Sequence, residues 1–461
     1  MPKNQQKNEV FNKSKRQHVL MITNHGCHSP KIKVTIDTAG QNFYVNDYSR
    51  ALLKLGYKVT ILNRGGYAHP VSKEKQQGIK YYNKVWGEEL GKYCRVVYLE
   101  DSWKKFIAKE EIKEKNLQQE LDFLFDLAEK IKLDFEKIKY INSHYWDGGI
   151  LGLKLNEELQ KKHNLHIPHV WTPHSLGILK QENYNNEPKE IIEKLKFPKR
   201  IAYEEQIIKE SEAVVANAKI VEQYLEKYQN RPKEILWFPP GVDTELYYPR
   251  ELNQCMDAIT LLANIKNIDI EVMKKIIEEK TVFFEISRTQ ESKRKKVILK
   301  AFTQIKSKDK AILIMALNKG SEVYENLMKI YNKNKEKNNL ILIDSFIERN
   351  QGAQLYALSD VFATASHVES WGMTSHEAAA SKCTVISSKY VPSVTEVLKE
   401  HAIIIEQEDP KKYAQAMEKL IENRELREEM AFNAFELVAN HYSWKALGEN
   451  FLKDLAKKNI I

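Results

Sequence analysis

Two carboxylates eight positions apart, Glu369 and Glu377, lie in the stretch HVESWGMTSHEAAAS (367–381). A β-rich run, Val361, Phe362 and Ala363, leads in, and an Ala-rich helical pattern from Thr374 leads out. That order predicts Glu369 on a loop at the C-terminal end of a strand and Glu377 inside the next helix. Open α/β sheets bind ligands at that end of their strands. The backbone N–H groups of Gly372, Met373 and Thr374 would open the helix, and free N–H groups at a helix N-terminus attract phosphate. An ionised carboxylate only accepts hydrogen bonds, so the pair suits the hydroxyls of a sugar and a ribose. The stretch reads as a place for a sugar nucleotide. From spacing alone it fits equally a helix-capping acid followed by a solvated helix acid.

Other segments offer complementary groups. ISRTQESKRKK (286–296) presents Arg288 and Lys293 after a strand, where they could clamp a diphosphate and hold charge developing on a leaving group. DTAGQNFYVNDY (37–48) is a small-residue turn entering a helix; Gly40 permits close backbone approach and Gln41 adds a donor and an acceptor. SHYWDGG (143–149) places Tyr145 and Asp147 just past a strand, where Asp147 also fits a helix cap. TPHSLGILK (172–180) places His174, Ser175 and Lys180 past another. FPKRIAYEE (197–205) adds Lys199 and Arg200; with Lys180 they could hold a phosphoryl group, or pair on the surface with Glu204 and Glu205.

The elements that must position these groups alternate. HVLMIT (18–23), KVTIL (58–62), KYINSH (139–144), HVWTPH (169–174) and AVVAN (213–217) read as buried strands of the first half. TVFFEIS (281–287), AILIMAL (311–317), NLILIDS (339–345), VFATAS (361–366), CTVISS (383–388) and AIIIE (402–406) read as strands of the second. Strands alternating with amphipathic helices predict an α/β fold with parallel sheets covered on both faces. Eleven strands are more economically two doubly wound domains than one sheet. WFPPGVDTELYYPR (237–250) marks the boundary. The expected organisation is a flexible basic tail at 1–17, a first domain at 18–240 and a second at 241–441. A terminal helix within 442–461 carries Trp444, Leu447, Phe451 and Leu455 on one face and should return to the first domain. Residues 251–280 read as a variable insertion or linker.

The bulk numbers set limits. No run of about 18 apolar residues occurs, so no membrane span is expected. The net charge of +9 comes from 72 basic and 63 acidic residues mixed along the chain. That balance suits anionic substrates and leaves weak attraction to an anionic surface open, but it is no nucleic-acid footprint. The first 17 residues lack the apolar core of a secretory signal. Four scattered cysteines, Cys27, Cys94, Cys255 and Cys383, suggest a reducing cytoplasm and neither a disulfide frame nor a metal cluster.

Taken in order, AGQNFYV, SHYWDGG, HSLG with its downstream Lys, KRIAYEE, PPGVD, ISR with its downstream Lys and ESWGMTSHEAAAS resemble the retaining GT-B glycosyltransferases of family GT4. YWDGG and HSLG are most similar to sucrose-phosphate synthases and their bacterial relatives, with mannosylfructose-phosphate synthases a sister type. The resemblance covers roughly 18–250 and 281–455. It implies two Rossmann-like domains facing across a cleft, with the terminal helix crossing back to the first. It implies that Glu369 contacts donor-sugar hydroxyls and Glu377 the ribose. Arg288 and Lys293 then bind the diphosphate, Gly40, Gly372, Met373 and Thr374 border the donor, and His174 lies at the reacting sugar. Gln41, Tyr145, Asp147, Ser175, Lys180 and Arg200 match acceptor positions, the last basic pair on an acceptor phosphate. The sequence departs from the family at Ala39, where the first Gly of GGQ stands, at Arg294, at Ser370–Trp371, and at VPSVTE (391–396), which keeps Glu396.

The expected reaction is transfer of a hexosyl unit, with retention, from a nucleotide sugar to a phosphorylated sugar such as fructose 6-phosphate. UDP-glucose is favoured over GDP-mannose. His174, Arg288, Lys293 and Glu369 form the expected catalytic set. No D-x-D pattern occurs, and no metal or other cofactor is expected. Three rivals stand beside this reading: transfer to another acceptor (inositol phosphate, a lipid-linked or surface glycan), a nucleotide-sugar epimerase, and a non-catalytic binder. Oligomeric state is not encoded in any of these features.

Overall fold

The computed structural model describes residues 3–32, 38, 40–185, 188–333, 337–406 and 408–461. The chain divides into two compact units, Met1–Pro239 with Leu447–Ile461, and Pro240–Ala446.

The first unit contains β1 (Gln17–Thr23), β2 (Tyr57–Gly65), β3 (Tyr67–Ala68), β4 (Lys75–Gln76), β5 (Ile79–Tyr81), β6 (Cys94–Glu100), β7 (Ile138–His144), β8 (His169–Thr172), β9 (Ala213–Ala216) and β10 (Ile235–Trp237). Eight of them form one sheet in the order β10-β9-β8-β7-β1-β2-β6-β5, and β3 pairs with β4 apart from it. Every neighbouring pair in the large sheet is parallel except β5 with β6. From β1 the chain builds outward through β2 and β6, then returns to lay β7, β8, β9 and β10 on the other side. The strand order therefore reverses between β1 and β7, and a crevice opens at such a switch point.

The second unit contains β11 (Thr281–Glu285), β12 (Ala311–Ala316), β13 (Leu340–Ile343), β14 (Val361–Thr364), β15 (Thr384–Ser388) and β16 (Ala402–Ile405). They form a wholly parallel sheet in the order β13-β12-β11-β14-β15-β16. Here the switch point lies between β11 and β14. Both sheets read as near-continuous apolar runs because helices bury both faces; β12, β14 and β15 are buried at every position.

All eleven expected strands are present. β6 escaped the sequence reading because Arg95, fully buried, interrupts its apolar run. Residues 251–280 are not a linker: they form helices Met256–Lys266 and Ile270–Glu279, which bury Ile259, Leu262 and Met273 in the second unit. The first 17 residues are not a tail either. Lys3–Lys13 is helical, Phe11 is fully buried, and the side-chain amides of Asn8 and Asn12 donate to Ile131 O at 2.9 and 2.8 Å. One buried aromatic among polar residues is too weak a periodic signal to predict such docking. The terminal helix runs Trp444–Lys457, and its four apolar residues are all buried. Phe451 stacks on Phe238 at 4.5 Å. Beside its start, Val242 N donates to Tyr442 O and Trp444 N to Val242 O, at 2.9 and 3.1 Å. The four cysteines are buried thiols. Among the described residues no helix is long and apolar enough to cross a membrane.

Candidate active site

In the first unit the C-terminal ends of β1, β7 and β8 deliver His25, Tyr145, Asp147, His174 and Ser175 to the switch point. Gly148 lets the helix after β7 approach closely, since a Cβ there would stand 2.9 Å from Ile22 O in β1. Tyr145 and His174 both hold left-handed backbone conformations, φ 64° and 55°. Non-glycine residues kept there store strain, which clusters at functional sites. Trp171 Nε1 donates to Tyr145 O at 2.8 Å and fixes the first of them.

Arg200 ties the constellation together. It is buried on helix Phe197–Glu210, and its guanidinium donates to Glu204 Oε1 at 2.8 Å, Tyr145 OH at 2.6 Å and Ser175 O at 2.5 Å. Burial opposes its charge, but Tyr145 and Glu204 more than offset this, so the guanidinium is held charged more firmly than usual. Glu204 also accepts from Gly177 N at 2.8 Å and from Tyr228 OH. Asp147 Oδ1 accepts from His25 Nδ1 at 2.8 Å, and Asp147 Oδ2 is buried with no partner. His144 Nδ1 and His174 Nε2 share a hydrogen bond at 3.0 Å. Burial, then the field of His25, pushes His174 down to about 3; burial, then His174, pushes His144 well below its ordinary value. Both rings are therefore neutral at pH 7 and share one N–H between them. Tyr44 meets His174 edge-on at 4.9 Å. Gln41 Nε2 donates to Thr23 Oγ1 at 2.9 Å. A methyl group at Gly40 would meet nothing within 4 Å. Lys180 is half-buried, 5.8 Å from the ring of Tyr184.

In the second unit Arg288 and Lys293 follow β11, and Glu369 follows β14, on the two sides of the switch point. Lys293 and Glu369 form an ion pair with each other. Arg288 is exposed. Gly372 precedes helix Met373–Ala380 with φ 96°, and a Cβ there would come within 2.4 Å of Val391 Cγ1, so glycine is required twice over. Ser393 clasps the turn: its N–H donates to Trp371 O and its hydroxyl to Gly372 O, at 2.9 and 2.8 Å. The VPSVTE departure thus supplies a latch for the loop that carries Glu369. Glu377, in the helix, accepts from Tyr356 OH at 3.1 Å. Behind the loop Lys295 and Glu285 form a fully buried ion pair, and Lys295 also donates to Ala316 O at 2.8 Å.

The structure brings Tyr145, Ser175 and Arg200 into one hydrogen-bonded group, and Lys293 with Glu369 into another. It separates Lys199 from Arg200: the Lys199 ammonium donates to Ile112 O at 2.5 Å. Asp37 and Ala39 lie outside the described residues. Sequence reasoning missed His25, His144 and Tyr44, and it named the pairing of Arg200 with Glu204 but set it on the surface, whereas the pair is buried. His25 and His144 close strands as His174 does, which was the available signal. Among the described residues no group of three His, Cys, Asp or Glu is placed to hold a metal ion.

A C-terminal-edge site in each of two parallel-sheet units is the arrangement of the GT-B glycosyltransferases. Residues 38–246 match Glycosyltransferase Family 4 and residues 268–437 match Glycosyl transferases group 1; the chain belongs to the GT4 family of glycosyltransferases. It is 26% identical to the probable sucrose-phosphate synthase of Thermosipho melanesiensis, over 92% of each chain. It is 25% identical to the mannosylfructose-phosphate synthase of Agrobacterium fabrum, over 79% of this chain and 74% of that one. It is 23% identical to the D-inositol 3-phosphate glycosyltransferase of Corynebacterium diphtheriae, over 90% and 88%. Among solved structures, the sucrose-phosphate synthase of Thermosynechococcus elongatus superposes with TM-score 0.70 at 19% identity, over 96% of this chain and 99% of that one. The Anabaena protein HepE in complex with UDP-glucose superposes with TM-score 0.65 at 12% identity, over 95% and 99%.

Proposed function

We propose that this glycosyltransferase moves a hexosyl unit, with retention, from a nucleotide sugar to a phosphorylated sugar, with UDP-glucose and fructose 6-phosphate as the favoured pair. The observation that carries the reading is the Arg200–Tyr145–Ser175 group, with Lys180 in the same segment as Ser175. It offers fixed hydroxyls and positive charge where a sugar phosphate needs both. The likeness to sucrose-phosphate and mannosylfructose-phosphate synthases supports the acceptor class, and the UDP-glucose seen in HepE supports the donor class.

In this mechanism negative charge grows on the departing diphosphate. Lys293, Arg288 and the N–H groups of Met373 and Thr374 oppose it, as preorganised donors do for a developing anion. Glu369 and Glu377 accept from donor hydroxyls, and neither acts as a nucleophile. His174, neutral, acts as a hydrogen-bonding group at the reacting sugar. Tyr145, Asp147, Gln41 and Ser175 orient the acceptor, and Lys180 meets its phosphate beside Arg200. No metal has a role in this scheme.

The test is release of nucleoside diphosphate from UDP-glucose and from GDP-mannose, with and without fructose 6-phosphate, in chelator. Release that needs fructose 6-phosphate supports the reading and identifies the donor. Release without any acceptor at an equal rate would sink it. A second reading, transfer to inositol phosphate, is favoured by the inositol 3-phosphate glycosyltransferase relatives; release dependent on inositol phosphate alone would establish it.

A further inference from the structure

The opposite edge of the first sheet holds a second concentration of charge. Along β1, His18 stands five residues before Thr23, so this edge lies about 17 Å from the candidate active site. A cavity of about 670 Å³ opens there, lined by His18, Lys58, Lys132, Lys137 and Lys162, with Phe125 and Phe135 as an apolar wall. Helix Lys3–Lys13 covers its inner end through Asn12.

The inner end is cationic, and among the described residues no carboxylate hydrogen-bonds or ion-pairs with Lys58 or Arg95, though the field of Asp134 at the rim reaches Lys58. His18 and Lys58 are 3% and 6% exposed, and Arg95 behind them is fully buried. Among the described residues Lys58 Nζ donates to two backbone carbonyls, Phe11 O at 3.2 Å and Ser14 O at 3.3 Å. Arg95 donates to Thr60 Oγ1 at 3.0 Å and Asn8 Oδ1 at 2.5 Å, and its Nη2 has no partner. His18 Nε2 shares the Thr60 hydroxyl at 2.9 Å. The Lys58 ammonium and the Arg95 guanidinium both lie over the Phe11 ring, at 5.1 and 4.1 Å. The cavity's carboxylates, Asp126, Glu129 and Asp134, are all exposed at its rim, and Asp134 is committed to Lys137 at 2.7 Å and to Glu136 N. Buried charges in proteins are normally paired. Burial, then the fields of Arg95 and Lys137, lower the hold of Lys58 on its proton against an opposing pull from Asp134, and burial lowers that of Arg95.

We propose that this cavity is a binding site for a small phosphorylated metabolite. Its phosphoryl group would sit against Lys58 and His18 in the field of Arg95, with the rim lysines closing over it and its carbon skeleton on Phe125 and Phe135. Lysine ammonium groups bind phosphate as point charges, which fits a site without an arginine fork on its wall. Because Asn12 of helix Lys3–Lys13 lines the cavity, occupancy also holds that helix down.

The test is calorimetric titration of the full chain with inorganic phosphate at constant ionic strength. Wild type is compared with Lys58→Met, with the rim double variant Lys132→Gln/Lys137→Gln, and with Lys180→Ala. The expected result is phosphate binding weakened at least about tenfold in Lys58→Met, a loss of ~1.4 kcal/mol, weakened also in the rim variant, and retained in Lys180→Ala. Glycosyl transfer at saturating substrates stays unchanged in Lys58→Met. Binding that is equal in wild type, Lys58→Met and the rim variant, or absent from wild type, or lost only in Lys180→Ala, overturns the proposal. If Lys58→Met fails to fold, the rim variant carries the comparison. The heat of phosphate binding does not depend on turnover, so it stands or falls apart from the transferase reading.

Discussion

Both sheets present charge at their switch points, but the first unit locks its groups together while the second leaves them to be claimed. Arg200 is buried, with donors placed on Glu204, Tyr145 and Ser175. Tyr145 and His174 are held in strained backbone conformations by the surrounding packing. A ligand arriving there meets a finished shape, which lowers the ordering cost of binding. In the second unit Arg288 is exposed, and Lys293 and Glu369 neutralise each other. A diphosphate and a sugar hydroxyl would have to replace that ion pair. The same topological position thus serves geometric preorganisation in one unit and exchangeable charge in the other.

The largest effect should come from breaking the locked side. Arg200→Ala leaves Glu204 buried without its cation, and removing one partner of a buried pair costs about 3–5 kcal/mol. Urea unfolding should show the first unit's transition moved to lower denaturant, with Arg200→Met/Glu204→Gln recovering part of the loss. An unmoved midpoint would show that the network is not structural, and the contrast would fail. On the exchangeable side, Lys293→Met should cost less stability than Arg200→Ala, because Glu369 keeps some access to water, and slow transfer about 10²–10³-fold, the usual loss on removing a donor to a developing anion. A slowing under about twofold would remove Lys293 from the mechanism.

Gly372→Ala probes the turn of the loop that carries Glu369. Left-handed backbone and the clash with Val391 together should cost about 1–3 kcal/mol, read as lower transfer with donor KM raised and acceptor KM unaffected. A smaller change sharpens the contrast further. Glu369→Gln removes the internal competitor for Lys293, so UDP alone should bind about two- to fivefold tighter, within the worth of a partly exposed ion pair, even as transfer falls. Weaker UDP binding would mean that Glu369 orients Lys293 and does not compete for it.

Much of this was legible in sequence, for reasons that particular residues make clear. Strands buried on both faces announce themselves as β-branched runs, and their alternation with helices left one economical architecture. The placing of Glu369, Gly372 and Lys293 in loops after strands was legible because the apolar runs before them end just ahead of these residues. The Lys293–Glu369 pair itself was not, since residues 76 positions apart meet only through the pairing of β11 with β14. Arg95 was missed, and the Arg200–Glu204 pair was set on the surface, because charged residues are read as solvent-facing unless a buried setting is known. Helix Lys3–Lys13 was missed because a single aromatic, Phe11, anchors it.

The smallest effect concerns pH and tests whether the histidines of the first unit belong to the locked side. His174 is pushed down to about 3 and His144 well below its ordinary value, chiefly by burial. The folded site therefore keeps both rings neutral, while the unfolded chain takes up protons near its ordinary value of about 6.5. Stability contributed by the neutral rings is fully present above about pH 6.5 and is lost progressively as pH falls toward the folded values. The rate should show no histidine inflection: transfer between about pH 6 and 8 should vary less than about twofold from this source. Stability measured over about pH 4.5–6.5 should fall with acid, and His174→Asn should make that slope shallower. An inflection in rate near pH 6.5 that His144→Asn abolishes would mean that the pair titrates in the working enzyme. The first unit's site would then be exchangeable in charge, as the second unit's is.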